Sequence, residues 1–137
     1  MKNMTINLLL AWLLLSLAGA VSADDYDDGM TALTGGDYTS AYRTFKRLAK
    51  RGYPDAQFQL GMLYLHGQGT GQNTQQGVNW LKQAAEDGYL FLAANELGQI
   101  YLSGQWVERN ETEAIKWLEL ASTIAEENEG EADDGCE

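Results

Sequence analysis

The sequence predicts an all-α protein in which about two and a half to three helix pairs stack into an α/α superhelix, or solenoid. Three observations predict this fold class. One segment recurs at a spacing of 37 residues, its apolar positions follow a helical period, and glycines stand where helices are expected to end. A repeat of this length is typical of a two-helix unit, which buries its apolar face only by stacking on its neighbours.

The internal repeat is the strongest signal in the chain. A shift of 37 residues superimposes eleven of 29 positions between residues 56–84 and 93–121, where ordinary residue frequencies would give roughly two. The shared residues of the earlier copy are Ala56, Leu60, Gly61, Tyr64, Leu65, Gly67, Gln68, Asn73, Trp80, Leu81 and Ala84. A weaker copy lies 36 residues before it, where Asp37, Phe45, Ala49, Gly52 and Tyr53 align with Asn73, Leu81, Ala85, Gly88 and Tyr89. The first half of this copy is degenerate, as is usual for a terminal repeat.

The chain opens with a segment that has the features of a secretory signal peptide. Lys2 precedes an apolar stretch over residues 8–15, which is shorter than the roughly 20 residues of a spanning helix. Residues 21–23, Val-Ser-Ala, fit a signal-peptidase site. We therefore expect residues 1–23 to be removed and the mature protein to be secreted to the periplasm without stable membrane insertion. The alternative is an uncleaved membrane anchor, and a lipid anchor is disfavoured because no cysteine lies near the cut.

Four segments follow the leader. They are a degenerate N-terminal repeat over 24–52, a full repeat over 53–88, a second full repeat with the C-terminal helix over 89–125, and an acidic tail over 126–137. In the first helix of a full repeat, Ala56, Leu60 and Tyr64 recur every four residues and share one face. Gly61 stands beside them, and a glycine there costs about 1 kcal/mol relative to alanine, which indicates that a neighbouring helix passes close by. Gly67 is expected to end this helix as a left-handed cap.

The second helix of each full repeat is predicted to begin at an asparagine cap. Asn73 and Asn110 occupy matching positions, and Gln76 and Glu113 follow them by three residues. This spacing predicts a capping box, in which each side chain bonds to the backbone N–H of the other residue.

The charge balance excludes several classes of protein. Twenty acidic against nine basic side chains leave a formal net charge of -11, which is the wrong sign for a nucleic-acid binder. Eleven of the acids lie in residues 24–28 and 126–137, so the repeats are nearly neutral. The tail has too few apolar residues to offset the entropy of ordering and is predicted to be disordered. Because Cys136 and His66 are each the sole residue of their type, we expect no disulfide framework, metal site or cofactor.

The spacing of the repeat residues resembles a known family. The pattern A-x-x-x-L-G-x-x-Y-x-x-G, then a short loop and W-L-x-x-A-A-x-x-G, is similar to the Sel-one-like repeat (SLR) family, which is related to the tetratricopeptide repeats. The residues that match this pattern in the first full repeat are Ala56, Leu60, Gly61, Tyr64, Gly67, Trp80, Leu81, Ala84, Ala85 and Gly88. The departures are Asn for the usual loop Asp at 73 and 110, Trp106 for a loop glycine and Ser122 for an alanine. The resemblance implies an α/α superhelix that binds other proteins and has no catalytic apparatus.

The resemblance and the secretion signal together predict a small periplasmic adaptor or regulator for a protein partner, whose identity the sequence does not specify. An alternative on the same fold is an immunity or inhibitor protein that blocks one effector enzyme. A hydrolase is the third possibility, but it would need a catalytic cluster around His66, which is more simply the last residue of a helix. Self-association is also possible, because it would stabilise so short an array.

A candidate partner-binding surface follows from the helical wheel. Phe58, Met62 and Leu65 lie opposite the inward-facing stripe, and they either line a groove for a partner segment or pack against the adjacent repeat. Trp106 stands where the preceding repeat has Gly69, so its indole either projects as a binding hot spot or folds back over the end of its own repeat. The candidate residues are Phe58, Met62, Leu65, Asn95, Gln99, Leu102 and Trp106.

A basic strip lies on the short helix of the N-terminal repeat. It consists of Arg43, Lys46, Arg47, Lys50 and Arg51. The strip is either a solvated face that aids solubility or a surface for an acidic partner or the chain's own acidic tail. In the second case the interaction should weaken with salt.

Overall fold

The computed structural model describes residues 23–88 and 90–130. Within this part of the chain there are six α-helices and no strand, which confirms the all-α prediction. The helices are α1 (Ala23–Thr34), α2 (Tyr38–Lys50), α3 (Pro54–His66), α4 (Thr74–Glu86), α5 (Phe91–Ser103) and α6 (Glu111–Gly130). Each helix packs against the next along the chain, so that α1–α2, α3–α4 and α5–α6 form three successive helix pairs.

The predicted leader and the expected absence of membrane insertion concern the N-terminal end of the chain. The leader predicted over residues 1–23 lies outside the described residues, apart from Ala23, the first residue of α1. Among the described helices, none combines the length and the apolar character that a membrane crossing requires.

The C-terminal helix is longer than expected. Residues 126–130, which we expected to be disordered, form the last turn of α6, while residues 131–137 of the predicted tail lie outside the described part. Ile124 is buried at 2% exposure and anchors the helix just before this turn. Extending an existing helix costs far less than nucleating one, and the glutamates of the turn are good helix formers.

The first helix pair is complete, although its first half looks degenerate in the sequence. A Cβ on Gly29 would lie 2.8 Å from Phe45, just as one on Gly61 would lie 2.9 Å from Leu81. Gly29 is therefore the counterpart of Gly61, and both let a helix pair approach closely. The loop between α1 and α2 spans 35–37, whereas the matching loop between α3 and α4 spans 67–73. This shorter loop puts α1 out of register with the later repeats.

The loop before each second helix is held by backbone and side-chain bonds. The Asn73 side chain accepts from the Gln76 N–H at 3.0 Å, which confirms the predicted cap, and Gly67 has the predicted left-handed conformation with φ 65°. The other half of the capping box is wrong: the Asn73 N–H donates to the Tyr64 carbonyl at 2.9 Å. Asn110 repeats both arrangements one repeat later. The loop thus folds back onto the preceding helix end, which satisfies the N–H that the box would have used.

The core divides into two clusters along the stack. The first joins α1, α2 and α3 and contains Ala41, Phe45, Leu48, Ala49, Ala56, Leu60 and Leu63. The second joins α3 to α6 and contains Leu65, Val78, Leu81, Ala84, Ala85, Ala93, Ala94, Leu97, Ile100, Trp117, Ala121 and Ile124. Because α3 contributes to both clusters, it links the first helix pair to the rest of the stack.

Candidate functional site

The predicted partner-binding residues of α3 do not all reach the surface. Phe58 and Met62 are half-buried and pack against the second core cluster. Leu65 has 0% exposure, so the prediction that it lines a groove is wrong. A Cβ on Gly77 would lie 2.7 Å from the Leu65 side chain, and the absence of a side chain at Gly77 is what lets Leu65 turn into the core.

The candidate residues of α5 lie on a more polar stretch. Asn95 and Leu102 are half-buried and Gln99 is exposed. They continue the direction of Phe58 and Met62 at the matching positions of the next repeat, since Asn95 follows Phe58 by 37 residues. The surface thus changes from apolar to amide side chains between α3 and α5.

Helix α1 extends this surface in the other direction, which the sequence reasoning missed. With Gly29 matched to Gly61, Tyr26 and Met30 take the positions of Phe58 and Met62, and both are half-buried. Gln59 of α3 donates from Nε2 to the Tyr26 hydroxyl at 3.5 Å, so the two helices lie side by side here. Burial raises the pKa of Tyr26, mainly because it disfavours the charged phenolate. Gly29 was the signal that could have revealed this register.

We call this row the first-helix face, because it follows the first helix of each pair. Its members are Tyr26, Met30, Phe58, Met62, Asn95 and Gln99. The sequences of α1, α3 and α5 contain neither lysine nor arginine. The face therefore presents apolar and amide groups without positive charge.

Trp106 neither projects from the surface nor covers only its own repeat. It is half-buried against the second core cluster, and its ring centroid lies 5.1 Å from that of His66 in an edge-to-face arrangement of 85°. His66 is the last residue of α3, so the indole reaches back onto the preceding repeat. This contact joins the loop before α6 to the end of α3.

The basic strip is partly engaged by the chain itself. Lys46 donates from Nζ to the Tyr42 hydroxyl at 2.9 Å, and Arg47 pairs with Asp25 of α1 at 3.1 Å. Arg43, Lys50 and Arg51 are exposed. These three cations, together with the exposed part of the Arg47 side chain, are the part of the strip that an acidic ligand could reach.

Two tyrosines join α2 to α3 beside this strip. The hydroxyls of Tyr42 and Tyr64 lie 3.0 Å apart and their rings meet edge to face at 5.7 Å. For Tyr42, burial acts to raise the pKa, but the hydrogen bond from Lys46, with those of Tyr64 and Thr70, outweighs it and lowers the pKa. For Tyr64, burial together with the bond to Tyr42 raises the pKa to about 12. The network closes the first junction between repeats.

The second junction between repeats is open instead. A cleft of about 340 Å³ lies between α4 and the end of α5, and Lys82 of α4 is the cation in its wall. Lys82 Nζ stands 5.8 Å from the Tyr101 ring centroid and 5.7 Å from that of Trp117. The lining residues are Thr74, Gln75, Val78, Asn79, Lys82, Tyr101 and Val107.

Residues 23–88 and 90–130 contain no group of three or more histidine, cysteine, aspartate or glutamate side chains that could hold a metal ion. His66 makes its ring contact with Trp106. The surfaces described above offer apolar contact, amide hydrogen bonds and a few cations.

Three stacked helix pairs with glycine contacts inside each pair define an α/α repeat protein. The family model described as the Sel1 repeat matches residues 54–89 and 92–123. The chain belongs to this Sel1-repeat, or Sel-one-like repeat, family, whose members generally mediate protein–protein interaction on a non-catalytic scaffold.

Solved structures agree with this family and with the α/α superhelix. A Sel1 repeat protein from Oxalobacter formigenes is 30% identical with a TM-score of 0.58, over 64% of this chain and 25% of that one. A protective antigen present in uropathogenic Escherichia coli strains, which displays an SLR fold, is 29% identical with a TM-score of 0.64, over 72% of this chain and 22% of that one. The predicted fold class is therefore confirmed.

Two curated proteins match shorter stretches. An uncharacterised protein of Neisseria meningitidis serogroup B is 43% identical over 54 residues, which is 39% of this chain and 12% of that protein. The DAP3-binding cell death enhancer 1 of Rattus norvegicus is 42% identical over 43 residues, which is 31% of this chain and 8% of that protein. The chain thus spans about an eighth or less of these relatives.

Proposed function

We propose that this protein is a small secreted adaptor or regulator of the periplasm that binds a protein partner along the first-helix face. The observation that carries the proposal is the continuity of this face across all three helix pairs. Tyr26 and Met30 of α1, Phe58 and Met62 of α3, and the amides of α5 occupy matching positions. Such a row is suited to an extended or helical segment laid across the stack.

The half-burial of the face supports binding without refolding. One side of Phe58 and of Met62 already rests on the core, while the other side meets solvent. Covering a side chain that is already held costs less ordering entropy than fixing a mobile one. Asp27 and Glu96 stand next in sequence to Tyr26 and Asn95, so the partner segment best suited to this face is apolar with basic flanks.

The basic strip supports a second contact of the same partner. Arg43, Lys50 and Arg51 are exposed on α2 and its C-terminal end. An acidic stretch of the partner reaching this strip would add an attraction that weakens with salt. Secretion rests on the leader over residues 1–23 and on the tendency of Sel1-repeat proteins to be extracytoplasmic.

Affinity capture from the periplasm with the mature chain tests the proposal. Because Gln99 is exposed on the face, Gln99→Arg should leave the helical circular dichroism unchanged. It should weaken the affinity for the partner by roughly tenfold. Glu119→Arg, at an exposed position of α6, is the matched control and should capture the partner as strongly as the parent chain does. Equal capture by both variants would overturn this choice of surface. Capture of a single enzyme that loses activity in the complex would identify the chain as its inhibitor.

The substitution of Phe58 and Met62 by Glu separates two roles of these residues. Loss of folding would show that they serve mainly to pack the stack, whereas loss of partner with the fold intact would support the face. Mass spectrometry of the secreted form should find Asp24 at the N-terminus, and an intact Met1 would contradict the cleavage.

A further inference from the structure

The first junction between repeats shows what this fold places beside the second helix. Tyr42 of α2 fills the space against the end of α3 and the loop behind it. Its hydroxyl lies 3.0 Å from the Tyr64 hydroxyl and accepts a hydrogen bond from Lys46 at 2.9 Å. Thr70 of the loop is the third group that acts on the pKa of this phenol. One phenol therefore joins two polar partners, one from its own helix and one from the next.

The second junction keeps the lysine and the tyrosine of the next pair but lacks the phenol between them. The shifts of 36 and 37 residues place Lys82 at the position of Lys46 and Tyr101 at that of Tyr64. The caps confirm this register, since the Asn73 and Asn110 N–H groups bond to the carbonyls of Tyr64 and Tyr101, respectively. The position of Tyr42 is taken by a valine, Val78, and that of Thr70 by Val107, and both line the cleft of about 340 Å³.

A second difference keeps this cleft from closing. At the first junction, Gly69 lies so near the Tyr38 carbonyl that a Cβ would overlap it. The matching residue in the next loop is Trp106, whose bulk prevents that approach and whose ring rests on His66 instead. Thr74 at the start of α4 and Val107 of this loop line the cleft instead, so the space that Tyr42 fills at the first junction is open at the second.

We propose that the cleft between α4 and α5 is a docking site for a tyrosine side chain of the partner protein. Val78, Val107 and the Tyr101 ring offer apolar contact, while Lys82 offers a cationic donor. No carboxylate lines the cleft, so the charge of Lys82 favours an electron-rich oxygen, as Lys46 favours that of Tyr42. This inference rests on the proposed partner binding and names one anchor that the partner would use.

Titration with tyrosine and phenylalanine analogues tests the site directly. N-acetyl-tyrosinamide should bind the mature chain saturably, with NMR shifts centred on Val78, Lys82 and Tyr101. N-acetyl-phenylalaninamide lacks the hydroxyl and should bind roughly 3- to 10-fold more weakly. Equal affinity for the two analogues, or shifts spread without saturation, would overturn the site. Acetate that competes equally well would show an anion site instead and would also overturn it.

Variants assign the effect to the cleft. Val78→Tyr introduces the side chain found at the first junction and should abolish binding of the tyrosine analogue. Val107→Phe fills the cleft from the loop and should have the same effect. It replaces the first variant if that variant does not fold. Lys82→Met should remove the preference for tyrosine over phenylalanine. Lys116→Met is the matched control, because Lys116 also lies over the Trp117 ring, at 5.0 Å, but does not line the cleft. Binding of the analogue that survives both filling variants would overturn the proposal.

The partner-capture assay separates this inference from the proposed function. If the analogue binds but folded Val78→Tyr still captures the partner at full strength, the tyrosine anchor is wrong and the adaptor function stands. If the wild-type chain captures no partner, the adaptor function fails, whatever the small probes do.

Discussion

At the scale of single residues, the Tyr42–Tyr64 pair shows how two identical side chains acquire different chemistry. Their hydroxyls lie 3.0 Å apart, but only Tyr42 also accepts a hydrogen bond from a lysine. Its pKa is lowered from the ordinary value despite burial, whereas that of Tyr64 is raised to about 12. Tyr42 is therefore the first of the two to ionise, and the Tyr64 hydroxyl then donates to its phenolate.

This pair predicts a specific response to alkaline pH. A raised pKa for Tyr64 means that the folded state keeps a proton that the unfolded state loses, so its contribution to stability falls as the pH rises from 10 to about 12. Lys46→Met should raise the pKa of Tyr42, because it removes the positive donor. NMR of tyrosines labelled at Cζ measures both ionisations. Lys50→Met, on the same helix, is the control and should leave them unchanged.

An unchanged pKa of Tyr42 in the Lys46→Met variant would contradict this account. It would mean that Tyr64 and Thr70, rather than the lysine, hold the phenol in its environment.

At the scale of the elements, the caps of the second helices show that a local pattern predicts only part of a loop. Asn73 accepts the Gln76 N–H at 3.0 Å, as its position before the helix indicates. Its own N–H, however, donates to the Tyr64 carbonyl. This N–H is therefore not free to donate to the Gln76 side chain, as it would in a capping box. The cap thus ties α4 to α3 as well as starting α4.

We predict opposite outcomes for the two residues of this cap. Asn73→Ala should lower the free energy of unfolding by about 1 kcal/mol, and Asn73→Asp should retain most of it, as Asp37 caps α2 in the same way. Gln76→Ala should change stability by less than about 0.5 kcal/mol, because its exposed side chain makes no cap bond. Urea unfolding followed by circular dichroism measures all three. A loss at Gln76 as large as that at Asn73 would indicate a complete capping box.

The features that the sequence predicts well are those set by neighbours in the chain. The helical period, the Asn73 cap and the left-handed Gly67 all depend on residues a few positions apart. The burial of Leu65 could not be predicted this way, because a helical wheel gives the direction of a side chain but not the neighbouring elements that cover it. Here the missing side chain of Gly77, on another helix, opens the space that buries Leu65.

The candidate site was predicted only in outline for the same reason. The α1 half of the first-helix face was missed because the short loop over 35–37 shifts Gly29 out of the repeat register. The cleft could be seen only by comparing side-chain volumes at matching positions, Tyr42 against Val78, once both junctions were known. Such differences between copies carry no periodic signal.

At the scale of the whole molecule, the positive charge of the described lysines and arginines is confined to the second helix of each pair and to the loops beside it. The helices α1, α3 and α5 contain no lysine or arginine, while the basic strip, Lys82 and Lys116 belong to the second helices and their ends. The position of Lys46 and Lys82 becomes Glu119 in α6, the last described helix. In the first two pairs this lysine lies beside a tyrosine, Tyr42 or Tyr101, at the junction with the next pair. Helix α6 thus departs at this position from the pattern of α2 and α4.

Matching positions in α4 and α6 test whether this end of the stack is covered. Val78 is 6% exposed beneath the next helix pair, whereas Ile115, 37 residues later, is 55% exposed and has no described helix packed over it. Val78→Ala should therefore lower the free energy of unfolding by about 1.5 kcal/mol, from two methyl groups at about 0.8 kcal/mol each. Ile115→Ala should stay within about 0.5 kcal/mol of the parent. Denaturant unfolding at two protein concentrations measures both, and it also tests self-association. A loss at Ile115 that grows with protein concentration would contradict the prediction, because it would show that a second copy covers this face.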